Sequence, residues 1–164
     1  MSSHLKRATL LHEKFPTDER YPFNLTILNR TRHLSLDAPI TLFVGENGTG
    51  KSTLLEALAR ACGIHIWRKS EGRRYEFNRY EKLLYKCLRI DWADGRVPGA
   101  FFGSDIFKDF AGILDEWAVS DPAQLKYFGG KSLVTQSHGQ SMMSYFRARY
   151  KLKGLYLLDE PETA

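Results

Sequence analysis

Apolar and polar positions along this chain fall into two kinds of pattern, short apolar runs and longer stretches with helical spacing. "YPFNLTIL", residues 21–28, alternates weakly and reads as a strand. "APITLFVG", residues 38–45, is a short apolar run bounded by Pro39 and Gly45, which predicts a buried strand of the kind found inside a parallel sheet. "CLRIDWADGRVPGAFFG" predicts a strand, a turn at Asp94-Gly95 and an edge strand interrupted by Pro98. "GLYLLDE", residues 154–160, is again a buried strand. Helical spacing marks "KSTLLEALARAC", with Leu54, Leu55, Leu58 and Cys62 on one side and Gly63 as the stop. "SDIFKDFAGILDEWAV" places Ile106, Phe107, Phe110, Ile113, Leu114 and Trp117 on one face, with Ser104 or Asp105 as cap. "QSMMSYFRARYKL" reads as a helix whose Met142, Met143, Phe146 and Tyr150 face a core, and "DPAQLKYFGGKS" as a loop.

Strand, glycine loop, helix, mixed segment, helix, strand: that order predicts α/β architecture, a mostly parallel sheet flanked by helices. With 164 residues and 43% hydrophobic positions, one domain spanning residues 1–164 is expected, with an insertion or helical arm at about 67–125. The aromatic and basic stretch from Trp67 to Arg89 is not decided between helix and mixed structure.

The chemistry concentrates in "GENGTGKS", Gly45 to Ser52, which fits the phosphate-loop pattern GxxxxGK followed by Ser or Thr. Gly45, Gly48 and Gly50 let the backbone curl so that the N–H groups of Glu46, Asn47, Thr49 and their neighbours point inward. A triphosphate then rests on those donors and on the N-terminus of the following helix. Lys51 reaches the β and γ phosphates, the Ser52 hydroxyl can ligate Mg²⁺, and Thr53 contacts phosphate. Downstream, "LYLLDE" ends an apolar run in two carboxylates. Asp159 suits a Mg²⁺ ligand and Glu160 a general base for water.

Between these lies "SLVTQSHGQSMMSYF". Ser137-His138-Gly139-Gln140, opening a helix before "LYLLDEPETA", resembles the ABC-class signature LSGGQ. The pieces "YPFNL", "ITLFVGENGTGKSTLLEALA", "GAFFGSDIF", "YFGGKSL", "QSHGQS" and "GLYLLDEPETA" together resemble the stand-alone prokaryotic AAA family ATPases of ABC type, relatives of SMC and RecF-like proteins. The resemblance implies a P-loop NTPase fold with ATP and Mg²⁺ as ligands. It implies a homodimer in which Ser137, His138, Gly139 and Gln140 cap the γ-phosphate held by a second subunit. Service in DNA repair or phage defence, through a protein partner or DNA, is implied as well. Two weaker carry-overs are an adenine-stacking aromatic, Tyr21 or Phe23, with a strand-core role equally open, and a metal or water contact at Asp105, where helix capping is the alternative. In that family the chain continues past "DEPET" into a dimer-contact loop, a helix and a strand with a switch histidine, so the resemblance covers its first two-thirds. Other readings are a nucleotide-sensing subunit with little hydrolysis and a small P-loop kinase, for which "GRR" at residues 72–74 is a thin lid.

The remaining composition adds little. Net charge is +5, which permits contact with phosphates without requiring it, and the cluster "WRKSEGRRYEFNRYEK" reads first as a solvated face. Cys62 and Cys87 lack metal-like spacing and are expected as free thiols. No apolar run is long enough for a membrane span and "MSSHLKRATLLHEKF" has no apolar signal core, so a cytoplasmic location is expected.

Overall fold

A computed structural model describes residues 3–68 and 78–161. The strands are β1 (Leu5–Leu10), β2 (His33–Ser35), β3 (Leu88–Trp92), β4 (Gly99–Gly103) and β5 (Leu155–Asp159). The helices are α1 (Thr26–Arg30), α2 (Lys51–Ala61), α3 (Phe107–Ser120), α4 (Ala123–Lys126) and α5 (His138–Arg149). The predicted single, mostly parallel sheet is replaced by two small ones. β2, β1 and β3 form an antiparallel sheet with β1 central. β4 and β5 pair in parallel, Gly99 opposite Leu155 through Gly103 opposite Asp159.

The parallel pair organises the site. Successive side chains on a strand face opposite ways. Phe101 therefore enters one hydrophobic cluster, with α2, β1 and β3, while Phe102 enters another, with α3 and α5. Leu54, Leu55 and Leu58 of α2 fill the first cluster, at the predicted spacing. Phe107, Phe110 and Leu114 of α3 join Met142 and Tyr145 of α5 in the second. The Tyr145 hydroxyl also donates to the Phe101 carbonyl at 3.3 Å, tying α5 to β4. Helices thus cover both faces of the β4–β5 pair, which is the layering the sequence predicts on a smaller scale.

Four expectations are corrected. "YPFNLTIL" is not a strand: its second half is α1, begun after a turn, with the Asn29 side chain donating to the Phe23 carbonyl at 2.9 Å. "APITLFVG" forms no strand and pairs with none among the described residues. Phe43 alone of its large apolar residues packs on the first cluster, while Ile40, Leu42 and Val44 are exposed, Val44 at 91%. A strand of that composition needs neighbours on both edges, and none is supplied locally. On α5, Met142 is buried but Met143 is 49% exposed, so the apolar stripe is narrower than its spacing suggested. The loop predicted at residues 121–132 contains the short helix α4. β1 had not been expected: a register shift between Leu5 and Arg7 breaks the alternation that would have marked it. Residues 72–74 and most of the basic cluster lie outside the described residues.

Candidate functional site

The glycine loop delivers into α2 as its spacing requires. Gly48 and Gly50 have φ of 80° and 97°, left-handed values that cost a side chain (Gly50 is the N-cap of α2). No side chain caps α2, so its first N–H groups stay directed at the loop mouth, where the helix dipole favours an anion. Thr49 holds the loop's turn by donating its hydroxyl to the Glu46 carbonyl at 2.9 Å. Lys51 folds back across the loop, its Nζ donating to the carbonyls of Gly45 at 2.6 Å and Glu46 at 2.8 Å. An ammonium held by two carbonyls at the loop mouth can exchange them for phosphate oxygens.

The second half of the site arrives from 107 residues away. Ser52 Oγ donates to Asp159 Oδ1 at 3.1 Å, joining the first turn of α2 to the end of β5. Asp159 is buried, and burial pushes its carboxyl above the ordinary value of 3.8. The Ser52 hydrogen bond opposes that rise, the charges of Glu160 and Asp105 add to it, and Lys51 opposes it. A carboxylate short of compensating charge beside a hydroxyl is a set of hard oxygen donors suited to Mg²⁺, which prefers one or two carboxylates with the rest from phosphate and water. Among the described residues no group of three or more His, Cys, Asp or Glu side chains could hold a metal ion on its own. Glu160, exposed at the end of β5, has a φ of 46°, so the chain turns sharply there and leaves the strand's alternation.

The other predicted residues are placed as follows. Tyr21 is 41% exposed and its hydroxyl lies 2.5 Å from Thr53 Oγ1, beside the loop. Phe23 is fully buried against Phe15, ring centroids 4.9 Å apart, so of the two aromatics only Tyr21 has an open ring. Asp105 lies two residues beyond β4, next to the Asp159 end of β5; it does not cap α3, whose N-cap is Ile106 without a side-chain bond. Ser137 is the N-cap of α5 and its hydroxyl makes no capping bond; His138, Gly139 and Gln140 form the exposed first turn. His138 touches Phe107 edge-on at 6.2 Å. Gly139 and Gln140 line an open cavity of about 750 Å³ with Lys131, Gln136, Ser144 and Arg147. No hydrogen bond joins residues 137–140 to residues 45–53 among the described residues. The cysteines are buried and unpaired. No described helix is long and apolar enough to cross a membrane.

Sequence reasoning passed over Glu56 and Arg68. Glu56 is one helical turn beyond Ser52, a spacing that was legible, whereas Arg68 was absorbed into a cluster read as solvated.

A glycine loop opening a helix, whose first turn is hydrogen-bonded to the acidic end of a strand, defines a P-loop nucleotide site. A family model described as an AAA domain matches residues 23–87, less than half of the chain, and supports an ATP-binding P-loop protein of AAA type. Comparison with curated proteins and with solved structures gave no match.

Proposed function

We propose that the chain binds and hydrolyses ATP as an ABC-type ATPase, with Ser137–Gln140 acting on the nucleotide of a second copy. The observation that carries the ATPase reading is the Ser52–Asp159 contact at 3.1 Å, which unites two motifs far apart in sequence. Lys51 exchanges its loop carbonyls for phosphate oxygens and offsets charge on the departing phosphoryl group. Ser52 and Asp159 would hold Mg²⁺, which would supply positive charge to the phosphate oxygens. Glu160 accepts the proton of the water that attacks the γ-phosphorus. Tyr21 offers its ring beside the loop to the adenine base.

The head-to-tail dimer is favoured by the signature turn. Ser137 leaves its own helix uncapped, so the hydroxyl and three first-turn N–H groups are presented outward to an anion. A role in DNA repair or phage defence, with a protein or nucleic-acid partner, belongs to the same proposal by resemblance.

The test is ATP turnover by the chain beside Lys51→Ala and Glu160→Gln. Both substitutions should lower turnover by roughly 10²-fold or more, as expected for loss of a charge-stabilising cation or a general base. Glu160→Gln should also self-associate at saturating ATP. A monomeric Glu160→Gln variant that binds ATP sinks the dimer; ATP bound through Lys51 without turnover assigns a nucleotide sensor instead.

A further inference from the structure

The two hydrophobic clusters are bridged by the segment that leaves α2. Ile64 and Ile66 enter the first cluster. Trp67 packs against the second, 6.4 Å from Phe110 and 4.9 Å from Trp117 between ring centroids. Arg68 comes next, and its Nη2 donates to Glu56 Oε1 at 2.8 Å and to Asp105 Oδ2 at 3.2 Å. Arg60 also reaches Glu56, at 3.7 Å.

These two carboxylates belong to different parts of the site. Glu56 stands four residues after Ser52, on the same side of α2. Asp105 follows β4, whose last residue pairs with Asp159, and it leads directly into α3. These links close a ring: Ser52 bonds Asp159, the Asp159 carbonyl accepts from the N–H of Ser104 next to Asp105, Asp105 bonds Arg68, Arg68 bonds Glu56, and Glu56 leads back along α2 to Ser52.

As a stabilising device the bridge is weak. Asp105 is 62% exposed, and ion pairs open to solvent contribute about 0–1 kcal/mol. Its geometry is more informative than its energy. Both carboxylates accept from the one nitrogen Nη2, whose two N–H bonds lie fixed in the guanidinium plane, so the relative position of the two acceptors is constrained. Here those acceptors are the helix that receives phosphate and the turn that begins α3, which packs on α5 and its signature turn.

We propose that Arg68 is a positioning residue that couples nucleotide arrival on α2 to the α3–α5 unit. This role of Arg68 rests on the nucleotide reading above and involves no contact with ATP. Phosphate binding draws the first turn of α2 towards the ligand, Glu56 follows on the same rigid helix, and Arg68 passes the displacement to Asp105 and α3. Trp67, adjoining Arg68 and lying against Trp117 of α3, reports the movement.

The test uses the full chain carrying Trp92→Phe, which leaves Trp67 and Trp117 as the indole reporters. ATP with Mg²⁺ is titrated while indole emission is followed, and affinity is measured separately with a fluorescent ATP analogue. Arg68→Ala should bind ATP within about threefold of the parent, lose most of the indole response, and lower kcat about tenfold with little change in KM. Arg68→Lys, which keeps the charge but not the planar guanidinium, should recover the response in part. Glu56→Gln weakens the bridge from the other side and carries the test if Arg68→Ala does not fold. Combined with Arg68→Ala, it should add nothing further. A parental-size indole response in Arg68→Ala or Glu56→Gln overturns the coupling. So does a parent that binds ATP with no indole response. A parent that binds no ATP overturns the nucleotide reading itself, and the coupling falls with it.

Discussion

Replacing Gly50 by Ala tests the loop geometry most directly. Gly50 has a φ of 97°, and an added Cβ would stand 2.8 Å from Leu25 Cδ1. Holding an alanine in the left-handed region costs roughly 1–2 kcal/mol. Displacing the Leu25 side chain, which packs on the first cluster, adds about 0.5–1.5 kcal/mol of rotamer strain. The sum is about 1.5–3.5 kcal/mol, or roughly 3–14 °C of melting temperature for a chain of this size. If the loop relaxes instead, stability is spared but the phosphate-binding shape is lost, and the same energy emerges as roughly 10- to 400-fold weaker ATP binding. Two other glycines calibrate the result. Gly48 has a φ of 80° with nothing within 4 Å of its Cβ position, so Gly48→Ala carries the backbone cost alone. Gly139 lies in α5 with open space around it, so Gly139→Ala is neutral or stabilising, by up to about 1 kcal/mol. Thermal unfolding and ATP titration of all three should rank the total loss Gly50, Gly48, Gly139. Wild-type melting together with wild-type ATP affinity in Gly50→Ala would refute the reasoning.

Two further outcomes follow from the buried ionisable groups. Asp159 has its carboxyl raised by burial, so its ionisation destabilises the folded apoprotein; that penalty is absent below the ordinary value of 3.8, grows as pH rises through it, and is complete above the raised folded value. Asp159→Asn should therefore melt higher than the parent at neutral pH in chelator, the difference shrinking towards pH 3, while its Mg²⁺-dependent turnover is lost; a lower melting temperature at pH 7 would contradict the assignment. Cys62 is buried and its thiol is pushed up to about 11, so at pH 8 iodoacetamide should label it far more slowly than glutathione and completely only in denaturant; fast labelling of the native chain would show the site open.

The chain's local patterns were sufficient wherever the physics is local. Gly48, Gly50, Lys51 and Ser52 declare a phosphate loop because left-handed glycines, a cation and a hydroxyl are needed within a few residues of one another. The spacing of Leu54, Leu55 and Leu58 declares the buried face of α2, and the apolar run before Asp159 declares β5, for the same reason. What lies between elements was not legible. Strand pairing depends on neighbours distant in sequence, so "APITLFVG" reads as a core strand although Val44 is exposed, and the bulge at Leu5/Arg7 hides β1. Tyr21 and Phe23 are equivalent on paper; only packing buries one against Phe15 and leaves the other beside Thr53. Arg68 looks like one more charge on a solvated stretch until the fold sets Glu56 and Asp105 within reach of the same nitrogen. Residue types and spacing determined which chemical groups this protein carries. The tertiary structure alone decided which of them meet, because a contact across 107 residues, such as Ser52 with Asp159, is created by packing and leaves no periodic trace in the chain.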